Sequence, residues 1–178
     1  DIQATQHAFA AILRDGSVEC WGCPHFGGDS NVQDKLKKPV QSIQANGHAF
    51  AAILSDGSVV TWGRPDLGGD SSGVQEKLQD VRHIQATAGA FAAILGNGSV
   101  VSWGDSRRGG NSSKVEGELR DVQRIQATEW AFAAIRPDGS VVSWGMCPED
   151  WNSAVAPGPD NVHDFVYRLN NVRDIQAT

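Results

Sequence analysis

Two apolar runs separated by a short polar turn recur four times along the chain. The clearest copy reads A-F-A-A-I-L-G-N-G-S-V-V-S-W-G at residues 90–104. An Asn-Gly or Asp-Gly pair between two apolar runs is a strong signal for a two-residue β-hairpin turn, in which both central residues take positive φ. The pattern therefore predicts four β-hairpins, with turns at Asp15-Gly16, Asp56-Gly57, Asn97-Gly98 and Asp138-Gly139.

The hairpins belong to a tandem repeat of 41 residues, the spacing of the tryptophans at Trp21, Trp62, Trp103 and Trp144. Such periods are typical of solenoids, propellers and other repeat arrays. Each repeat has three candidate strands, which in the third copy read I-Q-A-T, A-F-A-A-I and S-V-V-S-W-G. We expect an all-β fold in a single repeat domain, 1–178, with repeats 1–42, 43–83, 84–124 and 125–174 and a closing strand at 175–178.

The second strand of each repeat is apolar on both faces. Alternation along a strand places residues 91, 93 and 95 on one face and residues 90, 92 and 94 on the other, and all six are apolar. The sheet is therefore expected to be covered on both sides, with the four tryptophans buried beside a phenylalanine of their own or the next repeat. Two architectures fit: β-propeller-type blades in a partial or small propeller, and an open β-solenoid.

A connector follows the third strand of each repeat. It begins with a Gly-Gly-Asp-Ser loop in the first two repeats and with Gly-Gly-Asn-Ser in the third. An Asx turn is preferred there over a calcium site, because the loops recur only every 41 residues and Asn111 replaces the acid in one copy. The connector continues as V-x-x-x-L-x-x-V, as at Val74, Leu78 and Val81. That spacing predicts one helical turn with its apolar side chains inward, with a short edge strand as the alternative.

The fourth repeat departs from the pattern. Gly145 and Ile175 are 30 positions apart, whereas Gly104 and Ile125 are 21 apart. The longer connector bears Trp151, Phe165 and Tyr167. Terminal repeats often cap an array, and inserted aromatic loops can also contact a partner, so both roles are open.

Composition and charge exclude several functions. A net charge of −6 argues against nucleic-acid binding, and no apolar run approaches a transmembrane helix, so membrane association is expected only through partners. Three cysteines do not form a complete disulfide framework, which favours an intracellular or organellar location. Cys20 and Cys23 form a C-x-x-C at a predicted strand end, where neither a redox pair nor a zinc site is expected. No catalytic arrangement stands out, so we expect no enzyme activity, no cofactor and no metal.

The repeat wording I-Q-A-T-x-x-A-F-A-A-I-L-x-D-G-S-V-V-S-W-G resembles the regulator-of-chromosome-condensation repeat. The short unit is similar to the three-strand blades of the β-lactamase inhibitor proteins of that superfamily. The resemblance implies a propeller that binds another protein or a multi-subunit complex, as a non-catalytic interaction module or scaffold. Two alternatives follow from it: an accessory structural subunit of a large assembly, a plastid photosynthetic complex included, and a regulator of guanine-nucleotide exchange.

Recognition in a repeat array is expected at positions that vary between the repeats, because packing holds the rest. The residues after each W-G pair vary most, and their loops leave equivalent strand ends. We therefore predict that they cluster on one rim, where loops carry function and where apolar and Arg side chains anchor interfaces. The alternative is that the apolar members fold back onto the core. The predicted partner-binding residues are Phe26, Leu67, Arg107, Arg108, Trp151, Phe165 and Tyr167.

Overall fold

The computed structural model describes residues 1–146, 168–170 and 172. The described chain is all-β, with thirteen strands in four antiparallel sheets, and each sheet is called a blade. Blade 1 holds β1 (Ile2–Ala4), β2 (Ala8–Ile12) and β3 (Val18–Gly22). Blade 2 holds β4 (Val40–Ala45), β5 (Ala49–Leu54) and β6 (Val59–Gly63). Blade 3 holds β7 (Val81–Ala86), β8 (Ala90–Leu95) and β9 (Val100–Gly104). Blade 4 holds β10 (Arg124–Ala127), β11 (Ala131–Ile135), β12 (Val141–Gly145) and β13 (Arg168–Leu169).

Every blade is a meander with the same register. The repeat phenylalanine lies opposite the repeat tryptophan, as Phe50 lies opposite Trp62, and the two rings stack with centroids 5.1 Å apart. The three-strand prediction is confirmed in blades 1 to 3, and blade 4 gains a fourth strand because β13 pairs with β12. The predicted closing strand at 175–178 lies outside the described residues.

The hairpin turns differ from the predicted two-residue type. The four turn glycines have positive φ as predicted, between 75° and 83°, but the Asp or Asn before each does not. Instead, Gly16 N–H donates to Leu13 C=O (3.0 Å) and Leu13 N–H donates to Ser17 C=O (2.8 Å), which makes a three-residue loop with one left-handed glycine. The Asp15 carboxylate accepts from the Ser17 N–H (3.0 Å) and hydroxyl (2.6 Å), so its role is an Asx hydrogen bond.

The hydrophobic core lies between the blades. In β8, Phe91 and Ala93 belong to the cluster shared with blade 2, while Ala90 and Ala92 belong to the cluster shared with blade 4. The predicted split of faces is confirmed. Fully buried alanines on the following-blade face let successive sheets approach closely, as expected where side chains must interdigitate without voids.

Burial of the repeat tryptophans is confirmed in three of the four blades. Trp62, Trp103 and Trp144 are buried, and each indole N–H donates to a glycine carbonyl of the preceding blade at 3.0–3.1 Å. The prediction is wrong for Trp21, which is 45% exposed although it stacks on Phe9 in the same way. The reason is that burial comes from the blade in front, and no described residue covers that side of blade 1.

The connectors form short 3-10 helices, at Ser30–Asp34, Ser72–Lys77 and Glu116–Glu118. Leu78 and Leu119 behind them are almost completely buried, so the helical-turn prediction is confirmed over the edge strand. The loops ahead of the second and third connectors are Asx turns, since Ser72 N–H donates to Asp70 Oδ1 (2.9 Å) and Ser113 N–H to Asn111 Oδ1 (3.0 Å).

The four blades form part of a propeller. Their sheets pack face to face in chain order, and no strand pairing joins blade 1 to blade 4 among the described residues, so the ring is not closed. No described helix is long and apolar enough to cross a membrane.

Candidate protein-binding rim

The loops after the four W-G pairs lie at one end of the blades, beside the turns between the first and second strands. In every blade one backbone hydrogen bond, 2.8–3.2 Å long, runs from the first residue after W-G to the turn. The donor and acceptor pairs are Cys23 and His7, Arg64 and His48, Asp105 and Gly89, and Met146 and Trp130. We call this end of the molecule the rim. The hairpin tips lie at the other end of each strand pair, so rim and tips are at opposite ends of the blades.

The rim loops of blades 1 to 3 are each a 3-10 turn that ends in a left-handed glycine. The turns are Pro24–Phe26, Pro65–Leu67 and Ser106–Arg108, and the glycines Gly27, Gly68 and Gly109 have φ of 88–97°. A Cβ on Gly68 would lie 2.6 Å from the Phe91 ring, so the next blade requires glycine there. The loop backbone is therefore the same in the first three repeats, whatever side chains it carries.

The last side chain of each loop reaches the strand turn of the next blade. The Phe26 ring meets His7 of its own blade edge-on at 4.6 Å and His48 of the next blade at 5.4 Å. The Arg108 guanidinium lies 4.2 Å from the centre of the Trp130 ring, which is cation–π distance. In blade 3 the turn residue is glycine, and a Cβ on Gly89 would lie 2.9 Å from Leu67 Cδ2.

The predicted rim residues differ in how much surface they offer. Phe26 is half-buried and packs on the core between blades 1 and 2, and Leu67 is buried at 9% exposure, so the apolar members fold back toward the core. The Arg107 side chain is 56% exposed and that of Arg108 is 21% exposed. The remaining predicted residues, Trp151, Phe165 and Tyr167, lie outside the described residues.

Charge on the rim is locally balanced. Arg64 donates from Nε and Nη2 to both carboxylate oxygens of Asp66, at 2.9 and 3.1 Å. Arg107 pairs with Asp105 through Nε at 3.3 Å. Both arginines remain more than half exposed, where ion pairs stabilise the fold little, so their guanidinium groups can exchange these partners for a bound carboxylate.

Two rim residues, His48 and Arg108, have a buried side-chain nitrogen without a hydrogen-bond partner among the described residues. In His48 this nitrogen is Nδ1. Burial lowers the pKa of His48 below its ordinary value of 6.5, and the positive charges of Arg64 and Arg108 lower it further. The side chain is therefore neutral at physiological pH, which suits its place against the Phe26 ring.

The two described cysteines, Cys20 and Cys23, do not form a site on the rim. Cys20 is buried and Cys23 is half-buried, and both thiols are free. Desolvation raises the pKa of Cys20 to about 11, the opposite of a reactive thiolate. No cluster of three potential metal ligands occurs in the described part of the chain.

Sequence reasoning missed the turn residues of the rim, namely His7, His48 and Trp130. The signal was present, because these positions are equivalent in the 41-residue period and vary between the repeats. For His48 and Trp130 the partner loop residue stands 22 positions earlier, in the preceding repeat, so no single repeat contains the contact.

Comparisons with known proteins agree on the fold. The chain superposes on Prp20p from Saccharomyces cerevisiae with a TM-score of 0.60 and 16% identity, covering 100% of this chain and 53% of that one. This is the fold of RCC1, since Prp20 is the yeast RCC1. Human WBSCR16 aligns with a TM-score of 0.57 and 19% identity, over 82% of this chain and 47% of that one.

The CRINKLY WD40 ectodomain of the Arabidopsis thaliana receptor kinase ACR4 aligns with a TM-score of 0.56 and 20% identity, over 83% of this chain and 50% of that one. The chain thus spans about half the length of these three structures. No protein-family model matches it, and no curated protein matches it. The predicted propeller-type repeat fold is confirmed, as a partial propeller.

Proposed function

We propose that the chain is a non-catalytic interaction module that binds another protein through the rim. The observation that supports this proposal is that packing positions and variable positions are separate along each repeat. Framework positions pack the blades, whereas the residues after W-G and in the strand turns vary and stand together at one end. A constant backbone that presents different side chains from successive units is well suited to recognising a partner.

The chemistry of the rim favours a protein partner with acidic and aromatic groups. Arg64 and Arg107 offer exposed guanidinium groups, and Arg108 stacks on Trp130. Phe26 and its two flanking histidines add a partly exposed aromatic row. Arginine and aromatic side chains are the residues that most often dominate binding energy at protein interfaces.

The first probes are set by the fold. Prp20p has been studied for its binding to Gsp1p and histones, and Prp20 has been crystallised with Kap60. Purified Gsp1p, together with proteins captured on the immobilised chain, should be titrated against the full chain, with the basic histones as the comparison that the rim arginines should not favour. Binding is measured by biolayer interferometry at constant salt.

Matched variants decide which surface is used. The rim variant combines Arg64→Ala with Arg107→Ala, and the control combines Arg14→Ala with Arg82→Ala at the hairpin-tip end, where both side chains are also exposed. We expect the rim variant to weaken binding at least tenfold, about 1.4 kcal/mol, and the control to leave it unchanged. Binding that survives in the rim variant and is lost in the control contradicts the proposal, as does a full chain that captures no protein.

A further inference from the structure

Blade 1 carries an apolar face that its counterparts bury. Ile2, Phe9, Leu13 and Trp21 are 62%, 44%, 43% and 45% exposed. The equivalent residues of blade 2, 41 positions later, are Ile43, Phe50, Leu54 and Trp62, and they are all buried, at 0–6%. We call the first set the open face. It lies on the side of blade 1 that points away from blade 2.

The three buried counterparts of this face show what covers it. In each case the preceding blade supplies a left-handed glycine whose missing side chain makes room for the Phe ring and whose carbonyl accepts the indole N–H. The bonds run from Trp62 to Gly27, from Trp103 to Gly68 and from Trp144 to Gly109. The Phe9 and Trp21 rings stack in the same way, with their centroids 5.4 Å apart and an angle of 15° between the ring planes.

Charge adds a second requirement. Glu19 stands on the open face where the other repeats have Val60, Val101 and Val142. The connector lysine of the preceding blade lines the same cleft between blades as this position, and Lys77 pairs there with Glu116 of the next connector at 3.2 Å. Lys35 and Val60 line a cleft of about 700 Å³, and Lys77 and Val101 line one of about 210 Å³. A blade docked in the same way, with lysine on its connector, would bring an ammonium group toward the exposed Glu19 carboxylate.

We propose that the open face is a docking surface for one further blade of this repeat type, one with a Gly-Gly loop and a connector lysine. This surface is separate from the rim and does not depend on the function proposed for it. The described donor glycines of the chain are already engaged, and residues 146–157 contain no glycine, so repeat four lacks the Gly-Gly pair. A second copy therefore has no free blade of the required kind.

The test joins a copy of residues 42–82 directly ahead of Asp1 in the full chain, which keeps the 41-residue phase. This copy brings Gly68 to the open face and Lys77 toward Glu19. Oxidative labelling with mass spectrometry then reports the exposure of Trp21, whose peptide is not duplicated. We expect the labelling rate of Trp21 to fall to that of the buried Trp103, whose peptide is also present only once in this fusion. Gly68→Val in the added copy alone should restore the original rate.

The chain also offers a matched charge control. A copy of residues 83–123 carries the same Gly-Gly loop but has Glu118 where the other copy has Lys77. It should protect Trp21 less than the first copy does, and Glu19→Val in the recipient blade should remove that difference. The proposal is overturned if Trp21 stays fully labelled in the first fusion, or if the added copy remains sensitive to protease. It is also overturned if the unextended chain protects Trp21 by forming a dimer.

Discussion

Trp21 and Trp103 provide a direct test of where the stability of this array resides. Both occupy the same repeat position, and both stack on their phenylalanine at 5.4 Å. They differ in the blade ahead of them: Trp103 is 4% exposed and donates to Gly68 C=O at 3.1 Å, whereas Trp21 is 45% exposed. The two substitutions to alanine therefore separate the contribution of the interface from that of the blade itself.

Trp103→Ala removes a buried aromatic side chain and leaves a cavity between blades 2 and 3. Such changes cost about 3–5 kcal/mol of unfolding free energy. Trp103→Phe retains an aromatic ring but removes the indole N–H donor. It should lower the unfolding free energy by about 1 kcal/mol for the lost hydrogen bond, plus a smaller amount for lost packing. Trp21→Ala should cost less than about 1 kcal/mol, as is usual for partly exposed positions.

Urea unfolding followed by far-ultraviolet circular dichroism measures these differences, provided that the m-values of the variants agree. Agreement matters because repeat arrays can lose cooperativity when one interface is weakened. Equal losses for Trp21→Ala and Trp103→Ala would refute the reasoning, since they would show that the intrablade stack dominates. A loss below about 1 kcal/mol for Trp103→Ala would refute it too.

Three further outcomes follow from the described contacts. Gly98→Val should destabilise the chain, measured by the urea midpoint, because φ is +78° there and a Cβ would lie 2.8 Å from the Asp121 backbone; an unchanged midpoint would contradict the turn assignment. Hydrogen bonds from Ser140 lower the pKa of the Asp138 carboxyl group below its ordinary value of 3.8. The stability that these bonds add to the folded chain is therefore complete above pH 3.8 and is lost as the pH falls through the lowered pKa. Asp138→Asn should flatten acid unfolding in that window, since Asn97 makes the same bonds without titrating. Cys20, with its raised pKa and burial, should alkylate more slowly than Cys23 at pH 8 in a Cys147→Ser background, and equal rates would contradict its burial.

Local signals were enough to predict the strands, the period and the faces of this fold. A strand is predicted from the alternation of side chains between its two faces, and a tight turn from a glycine that can take positive φ. The residue before that glycine was interpreted incorrectly, because Asp15 serves the turn through its side chain rather than its backbone. Composition alone does not distinguish those two roles, since Asp and Asn are common in both.

Burial between repeats was harder to predict. Trp21 and Trp62 stand in nearly the same sequence, yet only one has a blade ahead of it in the described structure. The rim presents the same problem, because Phe26 contacts His48 of the next repeat and Arg108 contacts Trp130. Such contacts depend on how blades stack, which is decided by the whole array rather than by the wording of any one unit.

The open face and the rim should recognise different kinds of partner. A framework face repeats the same chemistry at every interface, so its natural complement is another copy of the unit that already covers Phe50, Phe91 and Phe132. Rim positions vary from repeat to repeat, so together they present a pattern that no single repeat carries. Glu19 is the exception that connects the two, because it introduces a charge into a framework position. With this charge, the open face should distinguish among blades of the same type: a blade with a connector lysine should bind it more tightly than a blade with a connector glutamate.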